Sequence, residues 1–177
     1  MASVVLLPNA DVSNDWTLST GSDVYALLDD QVSTLGADSS YLSSTSAGSS
    51  CIVDLQDFSE AHSRINSVTL VTVSGNGARA ASHVLETRLG SAGGDYYTES
   101  SGVIPAHRTD YVTKTYTTRT TTDGSTAWAE ATLNSLRVRV DLDAHTSGTT
   151  QFTYLAVTVD YDEPVATDNS ILFGTNF

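Results

Sequence analysis

The feature that most constrains the fold is a two-residue alternation of apolar and polar side chains, which recurs along most of the chain. In residues 137–145 (RVRVDLDAH), Val138, Val140 and Leu142 alternate with charged residues. Successive side chains of a strand point to opposite faces, so this pattern predicts a β-strand with one buried face. Further strands are predicted at 24–28, 50–55, 65–74, 83–89, 95–98, 111–122 and 151–161, the last with Leu155, Val157, Val159 and Tyr161 in the core.

Helical periodicity is confined to residues 127–137, which predict one short helix of two or three turns. The Asn76-Gly77 pair suits a type I′ turn, so we expect a hairpin between the strands at 65–74 and 83–89. Many short strands separated by turn signals are typical of an antiparallel β-sandwich, of jelly-roll or lectin-like form. Residues 1–163 are expected to form this single domain, and residues 164–177 a C-terminal tail.

Composition supports a β-rich chain and excludes several kinds of partner. Among the 177 residues, 24 are Ser and 25 are Thr, residues that favour turns and strands respectively. The net charge is −13, so neither nucleic acid nor an anionic membrane is an expected partner. No apolar run is long enough to predict membrane insertion. The lone Cys51 excludes an intrachain disulfide framework and a cysteine-based zinc cluster.

Two groups of acidic residues are candidate metal ligands. Asp29, Asp30 and Asp38 bracket an expected loop, where carboxylates could bind Ca²⁺, but they lack the spacing of a calcium loop. Asp141, Asp143 and His145 occupy alternate positions, so they are predicted to lie on one face of a strand, where three such side chains could bind a metal ion. Ordinary turn residues and a solvated strand face are the favoured interpretations, and no metal or cofactor is predicted.

Signs of enzymatic chemistry are few. Residues 75–80 (GNGARA) resemble a dinucleotide-binding fingerprint, but a strand is expected after them where that motif needs a helix. The sequence contains neither a GxSxG nor an HExxH motif. We therefore expect a protein that is not an enzyme.

Aromatic side chains leave two interpretations open. They could stack on sugar rings as a glycan-binding surface, or they could pack in the core, which is the commoner role of aromatics in a sandwich. The residues concerned are Trp16, Tyr96, Tyr97, Tyr111 and Tyr116.

The order and spacing of several short motifs resemble small structural proteins of tailed viruses of bacteria and archaea. The resemblance covers about residues 7–161, with Ala129 and Arg137 departing from the usual Thr and Gly. The segments that carry it are LPNAD at 7–11, DWT at 15–17, VYALLDD at 24–30, DSSYLS at 38–43, DL at 54–55, INSV at 65–68, AWAEATLN at 127–134 and YLAVTVDY at 154–161.

This resemblance implies a virion component made in the host cytoplasm and present in many copies, as a head decoration, turret or head fibre. A tail-fibre or receptor- and glycan-binding module is the alternative. Expected partners are major capsid or tail proteins, further copies of the chain in a homo-oligomer, and a host surface glycan. The resemblance supplies no catalytic residue.

Two further expectations concern the tail and the host. The apolar end of the tail is predicted to dock on a neighbouring subunit, so deleting 164–177 would weaken assembly without unfolding the sandwich. The predicted contact residues are Ile171, Leu172, Phe173 and Phe177. One Lys against 21 acidic residues is also typical of a halophilic host, which predicts that folding depends on high salt.

Overall fold

The computed structural model describes residues 1–29, 40–76, 82–104 and 110–165. Within these ranges eleven strands form two antiparallel sheets packed face to face, which confirms the predicted β-sandwich. The strands are β1 (Ala2–Leu6), β2 (Pro8–Asn14), β3 (Thr17–Leu18), β4 (Leu42–Ser44), β5 (Ser50–Leu55), β6 (Arg64–Asn76), β7 (His83–Ser91), β8 (Gly94–Ser100), β9 (Val112–Thr115), β10 (Arg137–His145) and β11 (Thr150–Asp162).

Sheet A is built around two long strands. Its order is β3-β4-β11-β6-β9, and β1 also pairs with β11. Sheet B has the order β2-β5-β10-β7-β8, which places β10 in its middle. Because β10 lies between β5 and β7, the exposed face of sheet B gathers side chains from distant parts of the sequence.

The core lies between the sheets and follows the predicted alternation. Val138, Val140 and Leu142 of β10 are fully buried. They belong to the same core cluster as the predicted apolar positions of β11. Trp16 packs against Phe152 at one end of this core, with ring centroids 6.0 Å apart. Burial of this apolar surface is the main contribution to folding. Other members of the core are Leu6, Leu42, Val53, Phe58, Val68, Leu70, Leu85, Leu133, Leu155, Val157 and Val159.

The strand predicted at 24–28 is wrong, because Tyr25–Leu27 forms one turn of 3-10 helix. The Asp11 carboxylate accepts hydrogen bonds from the backbone N–H groups of Val24 and Tyr25, at 2.7 and 2.8 Å. A carboxylate that satisfies the first free N–H groups of a turn stabilises it in the way of an N-cap. The partner lies 14 residues earlier in the chain, so local alternation gave no sign of it.

The hairpin predicted at Asn76-Gly77 is also wrong. β6 belongs to sheet A, whereas β7 pairs with β8 and β10 in sheet B. The chain therefore crosses from one sheet to the other between these strands instead of turning back on itself. Gly77 lies outside the described residues.

The short helix is present, but it is one turn long. α1 spans Glu130–Leu133, and the backbone at Ala129 is extended, with φ −128° and ψ 152°. Trp128 is held before the helix because its indole N–H donates to the carbonyl of Arg119 at 2.9 Å. The long strand predicted at 111–122 is likewise reduced to β9 at the edge of sheet A.

Two β-bulges change which residues face inward. An extra residue on β6, Asn66, separates the Ser67–Asp160 and Ile65–Tyr161 pairs, so Ile65 enters the core instead of sharing the outer face with Ser67. An extra residue on β10, Asp143, separates the Leu142–Leu85 and Ala144–Val84 pairs. A bulge inserts one residue and reverses the alternation beyond it.

Candidate functional site

The exposed face of sheet B concentrates charged side chains on three neighbouring strands. Arg137, Arg139 and Asp141 are the outward positions of the first half of β10, and their register partners on β5 are Asp54, Ile52 and Ser50. On the other side, their partners on β7 are Gly90, Arg88 and Glu86. Three of the eight basic residues of the chain therefore meet on one face of a molecule with a net charge of −13.

Each of these arginines is paired with a carboxylate. Arg137 Nε lies 2.6 Å from Asp54 Oδ1, and Arg88 Nη2 lies 2.7 Å from Glu86 Oε1. The hydrogen bonds that Arg88 donates to Glu86 are the main reason why the pKa of Arg88 is raised. The side chains are about one-third exposed, so each pair contributes only modestly to stability while keeping its polar groups in a fixed arrangement.

Asp141 pairs with Arg139 and links it to Arg88. Its Oδ1 lies 2.8 Å from Arg139 Nε, and its Oδ2 lies 3.5 Å from Arg88 Nε. The Asp141 side chain is only 11% exposed, which makes it the most buried carboxylate among these ion pairs. A buried carboxylate between two guanidinium groups orients both of them.

Two adjoining depressions run across this face, and we call them together the sheet B groove. One is about 460 Å³ and is lined by residues that include Asn9, Asp54 and Asn134. The other is about 200 Å³ and is lined by residues that include Ile52 and Arg88. Ser91, Ala92 and Arg137 line both, so the two form one continuous surface. Its size matches that of small-molecule sites, and it offers donors and acceptors side by side.

The aromatic side chains predicted as a possible sugar surface do not line this groove. Trp16, Tyr111 and Tyr116 are buried. Tyr97 lies under Arg119, whose guanidinium carbon is 4.2 Å from the ring centroid, and Tyr96 packs edge-on against Trp128. Of the two interpretations, core and rim packing is the one found in the structure.

The opening between β8 and the segment after β9 is closed by polar contacts. Glu99 accepts hydrogen bonds from the backbone and hydroxyl of Thr117 and pairs with Arg119 at 2.9 Å. The cavity behind them is about 20 Å³, which is room for a single water molecule. This part of the sandwich therefore has no space for a ligand.

Of the two candidate metal-ligand groups, the one on β10 is not assembled, and most of the other lies outside the described residues. Asp29 is exposed and forms a bridge with Tyr154, while Asp30 and Asp38 lie outside the described residues. The bulge at Asp143 separates Asp141, which faces outward, from His145, which is paired with His83. Within the described ranges no three His, Cys, Asp or Glu side chains lie together as metal ligands.

The outer face of sheet A contrasts with the groove because its central positions carry no charge. Val71 pairs with Ala156 and Thr69 with Thr158, and Thr115 of β9 and Val5 of β1 continue the same face. Val5 is 47% exposed. We call the surface formed by these residues and Thr113 the neutral face.

The predicted subunit contacts at the C-terminus are Ile171, Leu172, Phe173 and Phe177, and they lie outside the described residues. Among the described residues, no helix has the length and apolar character needed to span a membrane.

Comparison with known proteins finds no matching family model and no matching curated protein. Solved structures do match: the Stig cyclase Fisc from Fischerella sp. TAU has 13% identity and a TM-score of 0.42, over 92% of this chain and all of that one. The apo form of a cyclase from Fischerella sp. has 13% identity and a TM-score of 0.44, over 92% and 98% of the two chains. The N-terminal cellulose-binding domain of Cellulomonas fimi β-1,4-glucanase C has 13% identity and a TM-score of 0.36, over 77% and 87%.

These matches correct one expectation. From the sequence we expected a protein that is not an enzyme. Two of the matched structures are cyclases, so that expectation is withdrawn. No reaction is assigned to the chain from them. The likenesses are to cyclases and a cellulose-binding domain, so the virion role remains a proposal.

Neither the arginine cluster nor the His83–His145 pair is predicted by the sequence alone. The alternation of β10 places Arg139 outward, but the approach of Arg88 depends on β7 lying beside β10. The one signal in the sequence is the alternation within β7, which places Glu86 and Arg88 on the outward face of that strand. Nothing local predicted the bulge that turns His145 inward.

Proposed function

We propose that this chain is a structural component of a virus particle, assembled in many copies on its surface as a decoration, turret or head fibre. The resemblance of residues 7–161 to structural proteins of tailed viruses is one support. The structural observation that carries the proposal is the neutral face of sheet A. A sandwich whose sheet A carries no charge at the centre of its outer face can pack there against further copies or against a capsid protein.

Charge explains why the neutral face would be the contact surface. Each copy carries a net charge of −13, so neighbouring copies repel one another over most of their surfaces. Contact through Val5, Val71 and the threonines around them brings no like charges together. Apolar and hydroxyl side chains on a sheet are also suited to packing against another sheet.

Immunogold electron microscopy of purified virus particles tests the location. Antibody raised against this chain would label the head surface if the chain is a decoration, turret or head fibre. Label confined to the tail would instead support the tail-fibre alternative. Absence of label from intact and disrupted particles would overturn the virion role.

A pair of substitutions tests the contact surface. Val5→Lys places a charge on the neutral face, and we expect it to reduce incorporation into particles. Val103→Lys is the matched control, because Val103 is 69% exposed and its neighbour Ile104 pairs with His83 of sheet B. Equal incorporation of both variants would overturn assembly through the neutral face.

A glycan-binding tail module is the second candidate function, and the sheet B groove is the observation that favours it. Sugar hydroxyl groups both donate and accept hydrogen bonds, and the groove presents arginine donors beside carboxylate acceptors. The binding would depend on hydrogen bonds, because the aromatic residues predicted as a sugar surface are packed elsewhere.

A glycan array followed by calorimetry tests this function. We expect a neutral or weakly charged oligosaccharide to bind, and Arg137→Ala to weaken its affinity by at least about tenfold, the loss expected for removing a charged hydrogen-bond donor. Arg64→Ala is the control, since Arg64 is exposed on sheet A. Failure of every glycan to bind, or equal loss in both variants, would overturn it.

A further inference from the structure

The interior of the sandwich becomes polar at the end where β6 stops and β7 begins. Ser74 and Asn76 of β6 are fully buried, and His83 of β7 is only 1% exposed. His145, at the end of β10, is the register partner of His83. Two imidazoles therefore lie beside each other on neighbouring strands, on the inner face of sheet B.

The bulge at Asp143 is what brings the two imidazoles together. Before it, Leu142 is paired with Leu85 inside the core, and after it His145 is paired with His83. Directly opposed residues of an antiparallel pair have Cβ atoms about 4.5–5.5 Å apart, with their side chains on the same face. Without the inserted residue, His145 would point to the exposed face of sheet B, as the sequence predicted.

The hydrogen bonds of His83 leave one ring nitrogen as a free acceptor. Its Nε2 lies 2.9 Å from Ser74 Oγ, while its Nδ1 is buried and has no hydrogen-bond partner among the described residues. A buried N–H without a partner is costly, so the proton belongs on Nε2, which donates it to Ser74 Oγ. Nδ1 then carries a lone pair that points into the protein.

The second ring presents a similar group. His145 Nε2 is buried and also has no hydrogen-bond partner among the described residues. Burial, and to a smaller extent the neighbouring His145, lowers the pKa of His83 to about 4. Since no acceptor lies beside Nδ1 among the described residues, His83 is held as the neutral imidazole, which is the form that binds metals.

We propose that His83 Nδ1 and His145 Nε2 bind a divalent transition-metal ion between the two sheets. Imidazole nitrogen suits zinc, nickel and copper, whereas Ca²⁺ and Mg²⁺ prefer oxygen. Among these metals Cu²⁺ would bind most tightly. The −13 charge of the chain raises the local concentration of any cation. Water would complete the coordination shell, and this site is independent of the function proposed above.

Ser74 is a positioning residue in this proposal. By accepting the proton of His83 Nε2, it fixes the tautomer in which Nδ1 is the ligand. Ser74→Ala is therefore expected to weaken metal affinity by about tenfold, at the lower end of the range for such partners. The same variant should leave the nitrogen couplings of any bound Cu²⁺ in place, because both ligands remain.

Titration of the untagged, chelator-treated full chain with Cu²⁺ tests the site, with affinity measured by calorimetry and ligand type by electron paramagnetic resonance. We expect one ion per chain and couplings from two nitrogen nuclei. His145→Gln, at a half-buried position, should reduce the affinity by at least about tenfold and remove one nitrogen coupling. His62→Gln is the matched control, because His62 Nδ1 contacts the Glu60 carbonyl away from the site.

Folding and binding are separated by the choice of variants. Circular dichroism of His145→Gln establishes that the sandwich is intact before its affinity is compared. His83→Gln, at a fully buried position, is a second test where its spectrum matches that of the parent. Copper that binds equally well to His145→Gln and to the parent, or that shows no nitrogen coupling, would overturn the proposal.

Discussion

Arg88 of β7 and Arg139 of β10 lie directly opposite each other on the exposed face of sheet B. Two like charges in such a cross-strand pair repel, and the pair is destabilising unless another group compensates. Asp141 is that group, since its two carboxylate oxygens approach the two arginines at 2.8 and 3.5 Å. Asp141 is the carboxylate that lies between both arginines, while Arg88 is also bound by Glu86 at 2.7 Å.

Asp141→Asn tests this arrangement. The variant keeps the shape of the side chain but removes the charge, so we expect it to lower the free energy of unfolding by about 1–2 kcal/mol. The loss should shrink at high salt, which screens the remaining repulsion. Asp143→Asn is the control on the same strand, since Asp143 is exposed. Urea unfolding measures both, and equal stabilities would contradict the prediction.

The strands of this fold could be predicted where burial alone decides the pattern. β10 has the predicted bounds, and Val138, Val140 and Leu142 are in the core as the alternation indicates. The alternation says which face of a strand is buried, but it does not say which strand lies beside it. Strand order is decided by packing of the whole chain, which is why the Asn76-Gly77 hairpin was predicted and is absent.

The parts of the site that could not be predicted depend on long-range partners. The approach of Arg88 to Arg139 needs the order of sheet B, and the pairing of His83 with His145 needs the bulge at Asp143. A bulge is one extra residue in a strand, and no residue type at that position announces it. Likewise, the 3-10 turn at Tyr25 is stabilised by hydrogen bonds to the Asp11 carboxylate, which lies 14 residues earlier in the chain.

Gly90→Ala is expected to disturb the β7–β8 hairpin beside the groove. A Cβ atom at Gly90 would lie 2.6 Å from the carbonyl oxygen of Gly94 and 2.8 Å from Asp95 Cα, closer than backbone atoms tolerate. Forced backbone shifts of this kind cost about 1–3 kcal/mol. Gly93→Ala is the matched control, since its nearest neighbour is the Ser91 hydroxyl at 3.6 Å. Thermal unfolding compares the two, and an unchanged Tm for Gly90→Ala would be inconsistent with this packing.

The thiol of Cys51 is expected to be inert in the folded protein. Cys51 is fully buried on β5, and burial, together with the nearby Asp141, raises its pKa to about 12. Only the thiolate reacts with alkylating reagents, and this thiol is both protonated and inaccessible at neutral pH. Mass spectrometry after iodoacetamide treatment should find no label on the native protein and full label in urea. Rapid labelling of the native protein would show that the sandwich opens at β5.

Asp123 is expected to make folding sensitive to strong acid. Its carboxylate accepts hydrogen bonds from the backbone and hydroxyl groups of Ser125 and Thr126, and these lower its pKa to about 2. Because the folded pKa lies below the unfolded value of 3.8, the stabilisation is complete above pH 3.8 and is lost as the pH falls through about 2. Asp123→Asn should therefore be less stable than the parent at pH 7, and the difference should narrow between pH 4 and pH 2. Carbon-13 NMR of the carboxyl group measures the pKa directly, and Ser125→Ala should raise it. A folded-state titration near 3.8 would mean that these hydrogen bonds do not form in solution.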